Sequence, residues 1–294
     1  MNDAHAAEDV VTEDWVFEDL HKRLPVHGVE IAWDDWGTST PDAAPFLLCH
    51  GYSGSSHDFA LHIPALAADR HVITLDHRGH GLSTKTHDAA SYTVDQLVAD
   101  LAALIHTTTE DPIHLLGHSM GGRIALQLTL DHPELVRSLI LMDTSAWSFQ
   151  PDDEAIREMM ASFIDRFDPT RGLPDLTALG RPEQELIEQT CPPVWNERKA
   201  EMSAAFDPWA LKALGEALFK GTAGSLRDRL PEVHVPVTVI CGELDQPLVD
   251  QVPELTEAIA GATSVIIEGA YHSPQLTHQT EWRQAVEDHL ARAR

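Results

Sequence analysis

Lysine, cysteine and tyrosine are scarce in this chain, and no long apolar run occurs. Lys and Arg together number 20 against 47 Asp and Glu, a formal net charge of -27. So acidic a surface repels phosphate backbones and anionic membranes, which excludes nucleic acid and membrane surfaces as expected partners. The charge fits selection for solubility or a saline habitat. The three cysteines, Cys49, Cys191 and Cys241, make an odd set without metal spacing. Two of them fall in apolar strand patterns, the usage of reduced core thiols in a cytoplasmic protein. No apolar stretch is long enough to cross a bilayer. The acidic segment 1–14 lacks the basic start and apolar centre of a secretory signal.

Cofactor signatures are missing too. His77 and His80 lie close together, but no cysteine or carboxylate stands at a zinc-like spacing around them. Gly51 and Gly54 do not form a dinucleotide fingerprint, and no P-loop lysine follows them. Neither a metal nor another cofactor is expected. What is present is a chain of 294 residues with 43% hydrophobic and 23% charged content, enough to bury a large core.

The pattern of that core is legible. Residues 1–17 form a polar extension. Leu20 to Val26 and Val29 to Trp33 suggest a strand pair, and Pro45 to Cys49 is a continuous apolar run suited to a strand covered on both faces. His71–Leu75, Pro112–Leu116 and Val136–Met142 repeat the strand signal between helical patterns such as Val94, Leu97, Val98, Leu101 and Leu104. Strand alternating with helix predicts an α/β fold with a mostly parallel, doubly wound sheet. From residue 145 to 220 the strand signal stops and amphipathic pieces broken by prolines replace it. This predicts a helical cap inserted before the last two strands, Val235–Cys241 and Thr263–Ile267. The core domain would then comprise 18–144 and 221–294.

Gly117-His118-Ser119-Met120-Gly121 joins the strand pattern ending at Leu116 to a helix pattern carrying Ile124, Ala125 and Leu128. A serine between two glycines at a strand-to-helix junction is the sequence form of a nucleophile elbow. The turn strains the serine and brings backbone too close for a flanking Cβ. Ligands of open parallel sheets collect at the carboxyl ends of strands. Those ends carry His50–Ser56, Asp76–Ser83, the elbow, Gly242–Asp245 and Gly269–Pro274.

With these motifs in this order, the chain resembles the α/β-hydrolase superfamily from about residue 20 to its C-terminus, in particular its cap-bearing serine esterase and lactonase branch. The resemblance implies Ser119 as nucleophile, His272 as general base and acid, and Asp245 as the orienting carboxylate. Asp143, at the end of the preceding strand, competes for the acid role because some family members place it there. The oxyanion hole would be the backbone N–H groups of Tyr52 and Met120. Asp76–Ser83 resembles a family turn and is expected to be structural. Pocket candidates are Tyr52, Trp147, Phe163, Trp195, Leu248 and Tyr271, with Met120 among the motif neighbours. No Arg or Lys cluster stands among them, so the expected substrate is an uncharged small-molecule ester or lactone. Carbon–carbon bond hydrolysis, perhydrolysis, or ligand sensing by a receptor on this scaffold are the alternatives. A serine nucleophile argues against the dehalogenase and epoxide-hydrolase branches, which use aspartate.

Overall fold

The computed structural model describes residues 20–38, 43–147, 149, 154–173 and 183–293. The polar extension 1–17, and the stretches around Pro174 and Pro182, lie outside the described residues. In chain order the first half contains β1 (Lys22–Val26), β2 (Val29–Trp36), β3 (Phe46–Cys49), α1 (Ile63–Leu66) and β4 (Val72–Leu75). It continues with α2 (Val94–Thr108), β5 (Ile113–His118), α3 (Met120–Asp131) and β6 (Val136–Met142). Four helices follow among the described residues: α4 (Glu154–Arg166), α5 (Gln184–Thr190), α6 (Pro193–Ala204) and α7 (Pro208–Phe219). The chain then returns to β7 (Val237–Gly242), α8 (Leu248–Ala258) and β8 (Thr263–Ile267), and ends in α9 (Pro274–Thr277) and α10 (Gln279–Arg292).

The strands form one eight-stranded sheet in the order β1-β2-β4-β3-β5-β6-β7-β8. β1 and β2 are antiparallel, as are β2 and β4, and every later pairing is parallel. The mostly parallel, doubly wound α/β class expected from the sequence is the class observed. Strands β3 and β5 are buried along their whole length, which explains their unbroken apolar runs. Leu47, Ile73, Leu115, Leu139 and Val239 pack with Leu97 and Leu101 of α2, Ile124 of α3 and Leu255 of α8. On the other face Phe46, Leu48, Leu116, Ile140 and Ile240 meet Phe59, Ile63 and the α10 residues Trp282 and Val286. Side chains alternate between faces along a strand, so one strand feeds both cores.

Some boundaries differ from the sequence expectation. β1 begins at Lys22, not Leu20, and β2 runs past Trp33 to Trp36. Asp34 and Asp35 hide the extension of β2 from a hydrophobic pattern. Both are satisfied locally: Asp34 accepts from the backbone N–H of His21, and Asp35 meets Lys22 and His71. The helices between β6 and β7 are tied to the sheet by side chains. Asp207, which caps α7, accepts the Tyr92 hydroxyl and the His87 backbone N–H. On α6, Lys199 pairs with Asp58 in the segment after β3.

Candidate active site

The elbow is built by backbone crowding. Ser119 sits between β5 and α3 at φ 53 and ψ -117, a conformation few residues other than glycine adopt. A Cβ on Gly117 would lie 2.3 Å from the Gly121 carbonyl oxygen, and one on Gly121 would lie 2.3 Å from that of Cys49. The first glycine lets the turn close; the second lets the end of β3 pass against it. Ser119 donates its N–H to Met142 O at 2.9 Å, and Thr144 Oγ1 donates to Ser119 O at 2.6 Å. Both partners belong to β6 and its exit, so the neighbouring strand braces the turn from behind.

The loop after β3 lies directly against the serine: a Cβ at Gly51 would come within 3.0 Å of the Ser119 Cβ. Tyr52 follows that glycine, and Met120 is the first residue of α3, where a helix offers N–H groups without intrahelical partners. His50 holds the loop. Its Nδ1 donates to Gly51 O at 2.8 Å while Nε2 accepts the His77 N–H at 3.0 Å. Asp76 accepts the Ser56 N–H at 2.8 Å and the Leu82 N–H at 2.7 Å, so the Asp76–Ser83 turn supports this loop from its far side.

His272 follows β8, and its Nδ1 lies 2.9 Å from Asp245 Oδ2, on the turn after β7. Asp245 is 8% exposed. Burial disfavours its charge, but the His272 charge and the hydrogen bond with His272, with a smaller contribution from the neighbouring Asp143, hold its pKa below the ordinary value. Asp143 also stands here. It is fully buried at φ 44, and burial, then the Asp245 charge, push its pKa well above the usual carboxylate range.

Asp143, Cys241 and Asp245 have donor atoms within 4.8 Å of one another, the one such grouping among the described residues with cation-like spacing. It suits a cation poorly. Asp245 Oδ2 is engaged by His272, Asp143 Oδ1 accepts the Gly242 N–H at 2.8 Å, and burial keeps the Cys241 thiol protonated by raising its pKa.

Two residues near the site were missed by sequence reasoning. His118, inside the elbow, has Nε2 2.7 Å from His272 O, and burial lowers its pKa to about 3. A neutral ring donating to that carbonyl fixes the backbone at His272. Its place beside the serine was the available signal. Glu183, just before α5, accepts from Ser273 and is 2% exposed. Nothing local in the sequence marks it.

The pocket candidates divide. Tyr52 is half-buried, its hydroxyl donates to Leu211 O at 2.6 Å, and its ring meets Phe206 and Phe219 edge-on. Tyr271 and Phe163 are half-buried, the latter stacked on Phe167. Trp147 lies under the Arg227 guanidinium at 4.5 Å, and Leu248 is buried at the start of α8. Trp195 requires a correction. It is 1% exposed in a separate cluster with Leu61, Ile187 and Leu276, and its ring stacks on His57 at 4.9 Å. Its indole N–H donates to His57 O at 3.2 Å, so Trp195 is a packing residue that joins α6 to the segment after β3.

Residues 44–279 match the family model described as alpha/beta hydrolase fold. A serine hydrolase-like protein of Danio rerio is 33% identical over 131 residues, covering 45% of this chain and 39% of that protein. RutD of Rhizobium rhizogenes, a protein named for carbamate hydrolysis, is 27% identical over 85% of this chain and 94% of its own length. The crystal structure of the enol-lactonase from Burkholderia xenovorans superimposes with a TM-score of 0.74 at 25% identity, covering 92% of this chain and 100% of that one. No helix among the described residues is long and apolar enough to cross a membrane. With the sheet order, the strained serine turn and a matching span of most of its length, this chain belongs to the alpha/beta hydrolase fold family.

Proposed function

We propose that the protein is a serine hydrolase that cleaves a carboxylic ester or lactone through an acyl-enzyme. The observation that carries this reading is the strained Ser119 turn on the same sheet edge as the 2.9 Å His272–Asp245 pair. Ser119 Oγ attacks the carbonyl carbon as His272 Nε2 takes its proton. The tetrahedral oxyanion is received by the N–H groups of Tyr52 and Met120, where one donor lowers the barrier by roughly 2.7–4 kcal/mol. Collapse expels the alkoxide, which takes the proton back from His272. Water, deprotonated by the same imidazole, then releases the acid and restores the serine. Asp245 holds the imidazole tautomer and offsets its charge throughout. In a lactone the alkoxide stays tethered to the acyl group, so the product is a hydroxy acid.

Among the described residues, Lys199 is paired with Asp58 and Arg227, over Trp147, with Glu254, which supports an uncharged substrate. The enol-lactonase likeness supports testing lactones beside esters. The helices α4–α7 are the cap of this reading and set which acyl groups fit. A fluorophosphonate probe with peptide mapping tests the nucleophile, and a panel of esters and lactones graded by acyl length tests the substrate class. Labelling at a residue other than Ser119 would refute the assignment.

A further inference from the structure

The carboxyl of Asp143 has a place in this site that the triad leaves unexplained. It leaves β6 at φ 44, with its N–H on Ile240 O at 2.9 Å and its Oδ1 on the Gly242 N–H at 2.8 Å. Its side chain is sealed from solvent, and Oδ2 is a buried oxygen with no hydrogen-bond partner as it stands. The carboxyl of Asp245 lies within 4.8 Å of it. Two carboxylates so close in a dry site do not both ionise. One proton resolves both problems. As a bare oxygen Asp143 Oδ2 has at most the weakly donating Cys241 thiol to accept from, whereas as an O–H it has a carboxylate to donate to.

We infer that Asp143 is a positioning residue whose carboxyl O–H donates to Asp245, turning the other Asp245 oxygen to His272. This rests on the serine-hydrolase reading above. The proton belongs on Asp143 because Asp245 has the imidazole for a partner while Asp143 has one backbone N–H and the weak donor of the Cys241 thiol. Burial and then the Asp245 charge raise the Asp143 pKa, whereas the interactions around Asp245 lower its own. The other titratable groups facing the pair do not compete. Cys241 stays a thiol, its pKa raised by burial and by both aspartates, with a smaller contribution from Asp250. His118, lowered to about 3 by burial, is neutral and engaged with the His272 carbonyl. Support then passes from Asp143 to Asp245 to His272, and only His272 moves protons in the reaction, between Ser119, the leaving alkoxide and water.

The test compares Asp143→Ala, Asp143→Asn and Ser119→Ala in the full-length protein, with kcat and KM for p-nitrophenyl butyrate measured across pH. Removing the donor in Asp143→Ala should lower kcat about 10- to 100-fold with KM little changed. Asp143→Asn, whose amide donates in place of the O–H and tolerates positive φ, should recover most of that loss. The midpoint of the acid limb of kcat/KM should stay within about 0.3 of a pH unit of the parent in Asp143→Asn, because a neutral group replaces a neutral group. A fall of about one unit or more would show that a negative charge had been removed from beside the imidazole, and would overturn the inference. So would an Asp143→Asn enzyme no faster than Asp143→Ala when both melt like the parent. If Asp143→Ala does not fold, the acid limb of Asp143→Asn decides alone. A fully active Ser119→Ala would instead bring down the serine-hydrolase reading, whereas an inactive Ser119→Ala beside a failing Asp143→Asn strikes the inference only.

Discussion

Glu183 holds Ser273 at two points: Oε2 accepts its backbone N–H and Oε1 its hydroxyl, each at 2.9 Å. Ser273 follows the proposed base, and Glu183 belongs to the segment between β6 and β7. The helical segment therefore does more than cover the sheet; it pins the chain next to His272. Glu183→Ala leaves two buried donors without their charged acceptor, a loss of about 1.5–3 kcal/mol per hydrogen bond. We expect a lower melting temperature and about 10-fold lower kcat, with Glu183→Gln intermediate in both. An unchanged melting temperature and kcat in Glu183→Ala would show that this link contributes nothing.

Ser119→Ala should abolish turnover of activated esters while leaving circular dichroism and melting near those of the parent. The Cβ is retained and the lost hydroxyl is not needed by the turn, whose braces are backbone groups of Ser119. Hydrolysis of p-nitrophenyl acetate at the parent's rate would remove Ser119 from the mechanism.

Asp245→Asn presents an amide to His272 Nδ1 and favours the wrong imidazole tautomer. In the serine-protease precedent the equivalent change costs roughly 10⁴ in turnover, and a loss of several orders of magnitude in kcat is expected here with KM little changed. A loss under about tenfold would mean that another carboxylate orients the base.

Phe163 and Trp195 should respond differently to truncation. Phe163 is half-buried on α4, and Phe163→Ala should shift the preference among acyl lengths more than it slows a small acetate ester. Trp195 is a packing residue, so Trp195→Ala should cost about 3–5 kcal/mol of stability by emptying the cluster against His57. Urea unfolding separates the two. A uniform loss over all substrates in a folded Phe163→Ala protein would indicate catalytic residues in the helical segment.

Stability should fall as the solution is acidified below the ordinary histidine range. Burial lowers the pKa of His62 and His114 to about 4 and of His289 to about 3. The unfolded chain therefore takes up protons first, below about pH 6.5, and stability is lost progressively until the folded-state values are reached. Each such histidine contributes a slope of about 1.4 kcal/mol per pH unit within that window. His62→Gln should make the difference in unfolding free energy between about pH 7 and about pH 5 smaller than in the parent. An equal or larger difference would show that His62 is not buried in its neutral form.

The sequence by itself determined the layers and the elbow. The continuous apolar runs of β3 and β5, the helical period of α2 and the paired glycines around Ser119 are each set by local physics: burial on two faces, one buried stripe, and a turn with no room for Cβ atoms. The fold class and the tight serine turn could be read from those patterns alone. Tertiary structure decided what depends on residues far apart in the chain. The Asp245–His272 bond spans 27 residues, the Glu183–Ser273 contact 90, and the Asp143–Gly242 bond 99. Trp195 looks like any apolar residue of an amphipathic helix, and only the position of His57 beneath it makes it packing and not pocket. Likewise the sequence offers both Asp143 and Asp245 at strand ends, and only the resemblance puts Asp245 first. Both are buried, and the partner separates them: Asp143 is sealed at the end of β6, where a charge has no water, while the turn after β7 brings Asp245 to an imidazole that stabilises one.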